Sequence, residues 1–576
     1  MPDVRELVAL LYRADWTRIS LSATVSSRRD HEVGWQLRRL VMEERNRAIG
    51  PVPKLWRLPD DPYVGPRPPE EGVQRILLAS GGRYRIEAED GSLVAVSDGE
   101  SQWVILGGVA RRCLADGPHK TLRGLVTPQW LIACYDLDIA GITSAGGRSA
   151  FRVAATPRAM SVQSDIRNYH LLDRVDVLID AELGIILRSE QVFRGQTLAT
   201  AEIHDLAIEP PEAADPGVFE LPPGTPVDDH PAFSTFEPQG PRWQAAMLAA
   251  DVAAAAMGFA VRHAPHWPAK RAADGESEMP PEAQDFAAVM TNLVPLSDDL
   301  VNLLHRTGLP AQDFDAELHE WVDAGTVLSA AQALRSMLPQ PLDGMFGPDA
   351  LWDAVEDRGR QKGSIHRTAR LRVSMPGRYR IDHLTGRWRY KFQAIACDGD
   401  HTAKLYDNRV ATGPAKPLDQ EFATLIDPAW LLTRWTLSAA GEVSVGGRRG
   451  FRIIAEARGW PTWPGPLFPL IESIVDAELS VLLRQTSYVN GRPATRSELR
   501  NVTAPAGPSG FRIEPAPGMR AVTDTGGLLA DQDLPTPVRA VGTAAALAAG
   551  GAIAGAVAVT GWLQKRRARP GSGSGA

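Results

Sequence analysis

The decapeptide IDAELGIILR at Ile179–Arg188 returns as VDAELSVLLR at Val475–Arg484. At the first copy, Val175, Val177 and Ile179 alternate with Asp176 and Asp180, which is the period of a half-buried strand. The segment DAEL interrupts this alternation, and apolar residues resume at Ile185. The pattern predicts a β-hairpin whose short loop is closed by Gly184, since glycine adopts a positive φ at little cost. Ser480 stands at this position in the second copy, so its turn carries some strain or differs slightly.

Four further sequence blocks recur in the same order. Asp-Gly steps between strand-like segments predict a second hairpin turn in each copy. Each copy is longer than about 100 residues, so the repeat predicts two tandem domains rather than solenoid units. The pairs are GRYRIE at 82–87 with GRYRID at 377–382, DGE at 98–100 with DGD at 398–400, PQWL at 128–131 with PAWL at 428–431, and GGR followed by FRV at 146–153 with GGR followed by FRI at 446–453.

Helices are predicted at two places in each copy. Pro128 and Pro428 open short apolar segments, and proline is well placed in the first turn of a helix. An amphipathic helix is predicted before the strands of each copy, over residues 4–14 in the first and 327–338 in the second. Each copy therefore combines many strands with few helices.

The region between the copies has a different character. It contains helical patterns over residues 243–261, 282–294, 298–303 and 315–321, and we interpret it as a helical connector. The resulting division of the chain is residues 1–235 for the first domain, 236–324 for the connector, 325–520 for the second domain, 521–539 for a spacer, 540–563 for a transmembrane helix and 564–576 for a basic, Gly/Ser-containing tail.

The transmembrane prediction rests on an uncharged run, AVGTAAALAAGGAIAGAVAVTGWL, at 540–563. A run of about 20 apolar residues can cross a bilayer as a helix. Basic residues follow at 565–569, and such clusters normally stay on the cytoplasmic side. The alternative is an Ala-rich helix packed on protein, or a mobile tail.

The composition and the N-terminus limit the remaining possibilities. The net charge of −7, with both signs interspersed, argues against a nucleic-acid surface. The three cysteines are far apart in sequence and form no zinc or redox motif. Residues 1–15 read as an amphipathic helix and not as a signal peptide. We therefore predict a single-pass membrane protein whose body lies on a side that the sequence leaves open.

The repeated blocks, taken in order, resemble the LolA/LolB and RseB superfamily of lipoprotein carriers and envelope-stress regulators, which includes LppX-type lipoproteins. The segment FELPPG at 219–224 resembles the closing segment of that family, and FRIEP at 511–515 is a looser version. The resemblance implies an α+β fold with two tandem, curved antiparallel sheets. Each sheet would be an open half-barrel with helices across an apolar concave face that holds lipid or acyl chains.

Motifs for catalysis are lacking. The sequence has no HExxH, GxSxG or Walker A motif. Asp228-Asp229-His230 and Asp398-Gly399-Asp400-His401 fit solvated turns better than metal sites. The carboxylate pairs Asp180/Glu182 and Asp476/Glu478 fit hairpin tips better than acid/base pairs. We predict no enzyme activity, no metal and no cofactor.

Three function classes remain, of which an uncharacterised enzyme is the least favoured. The first is a membrane-anchored protein that binds lipid or lipoprotein acyl chains, or senses the envelope. The second is a protein-interaction scaffold with a filled core. The candidate lipid-binding residues are Trp130, Leu131, Trp430 and Leu431, which open the Pro-led helices. Core packing is the alternative role of the two tryptophans.

Overall fold

Strands dominate this computed structural model, and they form two large mixed sheets, neither of which closes into a barrel. The structure describes residues 3–37, 39–40, 69–113, 120–158, 171–208, 216–232, 289–290, 293–306, 313–323, 325–326, 364–374, 377–385, 393–406, 409–414, 420–457, 470–489, 491–504 and 510–523.

The first sheet has twelve strands in the order β12-β6-β5-β4-β3-β2-β1-β11-β10-β9-β8-β7. It is accompanied by the helices α1 (Val4–Arg13), α2 (Lys120–Val126) and α3 (Gln129–Cys134), and residues 31–37 and 39–40 are also helical. Its strands are β1 (Leu21–Arg29), β2 (Glu70–Ala79), β3 (Arg83–Ala88), β4 (Leu93–Ser97), β5 (Gln102–Leu106), β6 (Val109–Cys113), β7 (Tyr135–Ala145), β8 (Arg148–Pro157), β9 (Arg174–Asp180), β10 (Ile186–Phe193), β11 (Gln196–Ile208) and β12 (Val227–Ala232).

The second sheet has thirteen strands in the order β13-β20-β21-β22-β23-β24-β14-β15-β16-β17-β18-β19-β25. Its helices are α4 (Asp298–His305), α5 (Gln420–Ile426) and α6 (Leu431–Arg434). Its strands are β13 (Val294–Pro295), β14 (Asp313–Asp323), β15 (Ser364–Ser374), β16 (Arg378–Thr385), β17 (Ala394–Cys397), β18 (His401–Leu405), β19 (Arg409–Pro414), β20 (Trp435–Val445), β21 (Arg448–Ala457), β22 (Leu470–Asp476), β23 (Leu482–Val489), β24 (Arg492–Thr503) and β25 (Arg520–Thr523).

The repeat seen in the sequence is a repeat of structure. Strands β1–β12 and β14–β25 have the same order in their sheets, with β13 added at one edge of the second. The predicted hairpins are confirmed. The DAEL turns join β9 to β10 and β22 to β23, and the Asp-Gly turns join β4 to β5 and β17 to β18.

The prediction of purely antiparallel sheets needs correction at one edge of each sheet. There β12 runs parallel to β6, and β25 runs parallel to β19. Each of these two strands is the last of its copy, so it reaches the edge from the closing segment rather than through a hairpin. The remaining pairs of both sheets are antiparallel, so the sheets are mixed only at these edges.

The helical prediction for residues 315–321 is wrong, because these residues lie in β14. Phe314, Ala316 and Leu318 are buried and alternate with less buried residues, which is the two-residue period of a strand. The helix predicted at 298–303 is confirmed as α4. Residues 294–323 thus supply two strands to the second sheet. The predicted helix at 327–338, the pattern at 243–261 and most of 282–294 lie outside the described residues.

The N-terminal helices of the two copies occupy equivalent positions in the chain. The helix predicted at 4–14 is confirmed as α1, whose N-cap Asp3 accepts a hydrogen bond from the backbone N–H of Arg5. Helix α4 is capped in the same way by Ser297. Because α1 precedes β1 as α4 precedes β14, α4 is the counterpart of α1.

One apolar core includes helices and strands of both copies. Leu7 and Leu11 of α1 and Val301 and Leu304 of α4 are fully buried in it, together with alternate residues of both sheets. Burial of apolar side chains of this size contributes about 1.5–3 kcal/mol each. The two copies therefore share a hydrophobic core instead of being separate bodies on a linker.

Among the described residues, no helix is long and apolar enough to cross a membrane. The predicted transmembrane segment at 540–563 lies outside the described residues.

Candidate functional site

The helix that begins after Pro128 holds two of the candidate residues. Leu131 is fully buried, and Trp130 is partly buried against the core. The indole N–H of Trp130 donates to the backbone oxygen of Gly124 in α2, at 3.3 Å. Its ring meets Tyr135 edge-on, with centroids 5.7 Å apart. Trp130 therefore fastens α3 to α2 at the border of the apolar core.

The second copy repeats this arrangement. The indole N–H of Trp430 donates to the backbone oxygen of Thr424 at 3.0 Å, and its ring lies edge-on to Trp435 at 6.2 Å. Leu431 is fully buried. Pro428 begins a 3₁₀ turn that leads into α6, so the short helix predicted here is present but irregular. A lipid-binding role of the four candidate residues stays a prediction.

The helices of the two copies pack against each other. Helix α1 contacts α4, and α3 contacts α6. At this junction, the guanidinium of Arg13 donates to the carboxylate of Asp298 at 2.8 Å, and the amide of Asn302 donates to the backbone oxygen of Arg5 at 3.2 Å. The candidate site thus lies in one layer of helices that both sheets share.

Charged side chains are buried at the end of this helix layer. The guanidinium of Arg158 donates to the backbone oxygen of His305 at 3.0 Å and lies 3.6 Å from the carboxylate of Asp427. Its Nε lies 3.4 Å from Asp136. These contacts join β8 of the first copy to α4 and the turn before α6 of the second. We call Arg158, His305 and Asp427 the junction cluster.

Burial dominates the ionisation of the junction cluster. It lowers the pKa of His305 to about 3, and the positive charge of Arg158 acts in the same direction. Burial also raises the pKa of Asp427, against the opposing effect of Arg158. A histidine with so low a pKa is a weak base, so the cluster is poorly suited to general acid–base catalysis near neutral pH. The geometry of the cluster suits a structural role, in which its contacts hold the two copies together.

The paired carboxylates of the DAEL turns lie at hairpin tips, as predicted, and they have an arginine partner that was not predicted. The guanidinium of Arg148 donates to both carboxylate oxygens of the fully buried Asp180 and to Glu182 at 3.0 Å. The backbone N–H groups of Glu182 and Leu183 also donate to Asp180. The signal was present in the sequence, because Arg148 is the arginine of the repeated GGR block.

The second copy contains the same arrangement, in which one arginine donates to both carboxylates of the turn. We call this arrangement the arginine fork. The guanidinium of Arg448 donates to Asp476 at 2.5 and 3.0 Å and to Glu478 at 3.2 Å. Burial alone would raise the pKa of Asp476, but hydrogen bonds from Arg448 and the backbone outweigh it, so the pKa lies below its ordinary value. In both copies, these carboxylates therefore stabilise the turn and are already bonded to an arginine.

The GRYRI block also has a repeated structural purpose. The guanidiniums of Arg83 and Arg378 lie over the rings of Phe219 and Phe511, at 5.3 and 5.4 Å from the ring centroids. These phenylalanines open the two closing segments. The block therefore attaches the end of each copy to its β3 or β16 strand.

The two aspartate–histidine stretches differ. Residues 398–401 form the predicted turn, whereas the turn predicted for residues 228–230 is wrong, because these residues lie in β12. Asp398 accepts hydrogen bonds from the backbone N–H groups of Asp400 and His401, and from the guanidinium of Arg512 at 3.0 Å. Asp228 pairs with Arg111 at 2.9 Å. The part of the chain that the structure describes holds no group of three side chains able to bind a metal ion.

One aromatic group distinguishes the second sheet from the first. The rings of Trp321 and His366 stack with centroids 4.9 Å apart, and His319 stacks beside both. The guanidinium of Arg500 lies 5.3 Å from the Trp321 ring. Burial, followed by the charge of Arg500, lowers the pKa of both histidines. The sequence did not predict this group, since His366 and Arg500 reach the two residues of β14 only through strand pairing.

None of the protein-family models and none of the curated proteins compared with the sequence matches it. Among solved structures, the chain is similar to MucB in the MucA/MucB complex of Pseudomonas aeruginosa, with 18% identity and a TM-score of 0.21, covering 37% of this chain and 59% of that one. The chain thus matches about three fifths of the length of MucB.

Two further structures align along almost their whole length. A LolA superfamily protein from Nitrosomonas europaea has 9% identity and a TM-score of 0.18, covering 38% of this chain and 99% of that one. LprF from Mycobacterium bovis has 10% identity and a TM-score of 0.20, covering 36% and 96%. The LolA superfamily, which the sequence motifs resemble, is therefore named among the structural neighbours. No site or activity is carried over from these proteins.

Proposed function

We propose that the chain is a non-enzymatic binding protein that takes up a lipid or lipoprotein acyl chain between its sheets and their helices. The observation that carries this proposal is the apolar helix layer, in which short helices pack on the sheets largely through apolar side chains. Trp130 and Trp430 lie at the border of this layer. An acyl chain can replace apolar contacts there without leaving buried polar groups unpaired.

The proposal includes a membrane tether formed by residues 540–563. It also includes curvature of the two sheets toward their helices, as the resemblance to LolA-type proteins implies. A tether would keep the binding helices close to a bilayer, which is the source of acyl chains.

The second candidate function is a protein-interaction scaffold with a filled core. The full burial of Leu131 and Leu431 favours it, because these side chains already occupy the space beside the tryptophans. The two candidates differ in one property, namely whether an apolar ligand binds saturably.

A titration of the full chain with a fluorescent fatty acid tests the proposal. We expect saturable binding, and we expect Trp130→Ala or Trp430→Ala to weaken it by about tenfold, or about 1.4 kcal/mol. Trp130→Phe and Trp430→Phe are matched controls that keep an aromatic ring. A bound acyl chain in native mass spectrometry would support the same conclusion.

The scaffold function predicts the opposite pattern. The fatty acid would not bind saturably, and the alanine variants would lose stability, by less than the roughly 3–5 kcal/mol of a fully buried tryptophan because both rings are only partly buried. That result would reject the lipid-binding proposal.

A further inference from the structure

The two sheets differ at one edge. In the second sheet, β13 pairs antiparallel with β20, through Val294 opposite Ala439 and Pro295 opposite Ser438. In the first sheet the equivalent strand is β7, and it ends the strand order of the described residues. The repeat therefore provides an occupied and an unoccupied version of the same edge.

The added strand changes the burial of its neighbour. Leu437 and Ala439 of β20 are buried, with exposed fractions of 4% and 7%. Their counterparts Leu137 and Ile139 of β7 are only half-buried. Further along β7, Ile142 is 60% exposed. The first sheet thus leaves apolar surface uncovered where the second sheet covers it.

An edge strand also presents backbone N–H and C=O groups that an extended peptide can pair with. The occupant of the second edge has a suitable form, because proline lacks an N–H donor and is tolerated at a sheet edge. Val294–Pro295 therefore completes the sheet without offering a full new edge.

The two edges differ in charge. Strand β7 carries Asp136 and Asp138 where β20 carries Thr436 and Ser438. The Asp136 side chain is 72% exposed although it lies near Arg158, and Asp138 is exposed. Carboxylates on an edge strand discourage pairing with neutral or acidic segments, and they favour a strand that brings basic side chains.

We propose that the edge of β7 is a binding site for an extended segment of a partner protein that contains a branched apolar residue, a proline and flanking lysines or arginines. The segment pairs antiparallel with β7, in the register that Val294–Pro295 adopt on β20. Its apolar side chain covers Ile139, and its basic residues lie opposite Asp136 and beside Asp138. This interaction does not depend on the proposed lipid site.

The register defines the test peptide. TNLVPLS, the sequence of residues 291–297, is the neutral probe. Replacing Leu293→Lys and Ser297→Lys in the peptide gives TNKVPLK, whose lysines would lie on the face of Asp138 and Asp136. We expect fluorescein-labelled TNKVPLK to bind the full chain saturably in an anisotropy titration, about tenfold tighter than TNLVPLS.

A matched pair of protein variants locates the site. Asp138→Lys should weaken TNKVPLK binding by at least about tenfold, whereas Ser438→Lys on the occupied edge should leave it unchanged. Hydrogen exchange should show protection of backbone amides within residues 136–143 when the peptide is added. Equal melting temperatures of the variants would establish that both fold.

The proposal is overturned if TNKVPLK does not bind saturably, or if Asp138→Lys and Ser438→Lys behave alike. It is also overturned if protection appears elsewhere, for example in α1 and α4. Protection of residues 136–143 in the wild-type protein, together with weaker peptide binding by Asp138→Lys, supports the proposal.

Discussion

The hydroxyl of Ser480 donates a hydrogen bond to the backbone oxygen of Leu303 at the end of α4. In the first copy, Gly184 takes this place, and a Cβ there would lie 3.0 Å from the backbone oxygen of Leu10 in α1. Both residues have positive φ, 52° for Ser480 and 71° for Gly184. Each DAEL turn is therefore fitted to the N-terminal helix of its own copy, with a hydrogen bond in one case and close backbone contact in the other.

Alanine should destabilise both turns, whereas glycine should be tolerated at Ser480. Ser480→Ala keeps the strained φ and loses the hydrogen bond, so we expect a loss of about 1 kcal/mol. Ser480→Gly loses the same bond but relieves about 1–2 kcal/mol of left-handed strain, so it should be nearly neutral. Gly184→Ala should cost about 1–2 kcal/mol because it introduces that strain. Urea denaturation measures all three, and a Ser480→Gly variant less stable than Ser480→Ala would contradict the strain argument.

The arginine forks should matter more than their exposed partners. Asp180→Asn leaves Arg148 without its buried counter-charge, and we expect a loss of roughly 2–4 kcal/mol, below the full range for buried pairs because Arg148 still reaches water. Glu182→Gln is the control, since this carboxylate is 81% exposed and should contribute less than about 1 kcal/mol. Equal effects of the two substitutions would contradict the fork's role.

The same carboxylate gives a pH dependence with a defined sign. Burial would raise the pKa of Asp180, but hydrogen bonds from Arg148, Leu183 and Glu182 lower it overall. A depressed pKa stabilises the folded protein above the unfolded value of about 3.9, and this stability is lost as the pH falls through the lower, folded value. We expect wild type and Asp180→Asn to converge in stability on acidification below about pH 4.

His305 gives a second pH dependence, at higher pH. Its pKa is lowered from 6.5 to about 3 by burial and by Arg158. Between these values the unfolded chain binds a proton that the folded chain does not, so stability falls with falling pH by up to about 1.4 kcal/mol per unit. His305→Gln should remove this part of the slope, whereas the exposed His401→Gln should not. Asp427 acts in the opposite sense, but it is present in every variant and cancels in the comparison.

The shared helix layer predicts cooperative unfolding. Leu304→Ala removes a fully buried side chain of α4, and we expect a loss of about 2–5 kcal/mol. Because the core is continuous, signals from both copies should shift together in calorimetry and hydrogen exchange. Two separate transitions, with only the second copy affected, would show that the copies unfold independently.

The membrane tether can be tested by fractionation. We expect the full chain to sediment with membranes and a chain ending at Pro535 to remain in the high-speed supernatant, because residues 540–563 are uncharged and precede a basic cluster. Full-length protein in the supernatant would contradict the tether.

The repeated turns and strands could be predicted from the sequence because their signals are local. Glycines and aspartates mark the hairpins, and two-residue alternation marks β9. Residues 315–321 were misread because their acidic and histidine residues obscured the alternation. The match of LVALLYR at 7–13 with LVNLLHR at 300–306 was a further signal of the repeat, but it was overlooked when the second domain was predicted to begin at residue 325.

The candidate site could be predicted only in part. Trp130 and Trp430 were found through the repeated PxWL block, and both lie at the border of the helix layer. The junction cluster was not found, because the hydrogen bond from Arg158 to His305 spans 147 residues and joins different copies. No local sequence pattern indicates such a contact. Comparing the two copies does not reveal it either, because Arg158 and His305 do not occupy equivalent positions in the repeat.

The continuous core has an evolutionary consequence. A chain carrying one copy alone would expose the apolar surfaces of α1 and α3 that α4 and α6 now cover, and its simplest remedy would be to pair with an identical chain. The present protein joins two such halves in one chain, so the halves need not be identical. The second half carries the stack of His319, Trp321 and His366 and an added edge strand, and among the described residues the first half has no strand beyond β7.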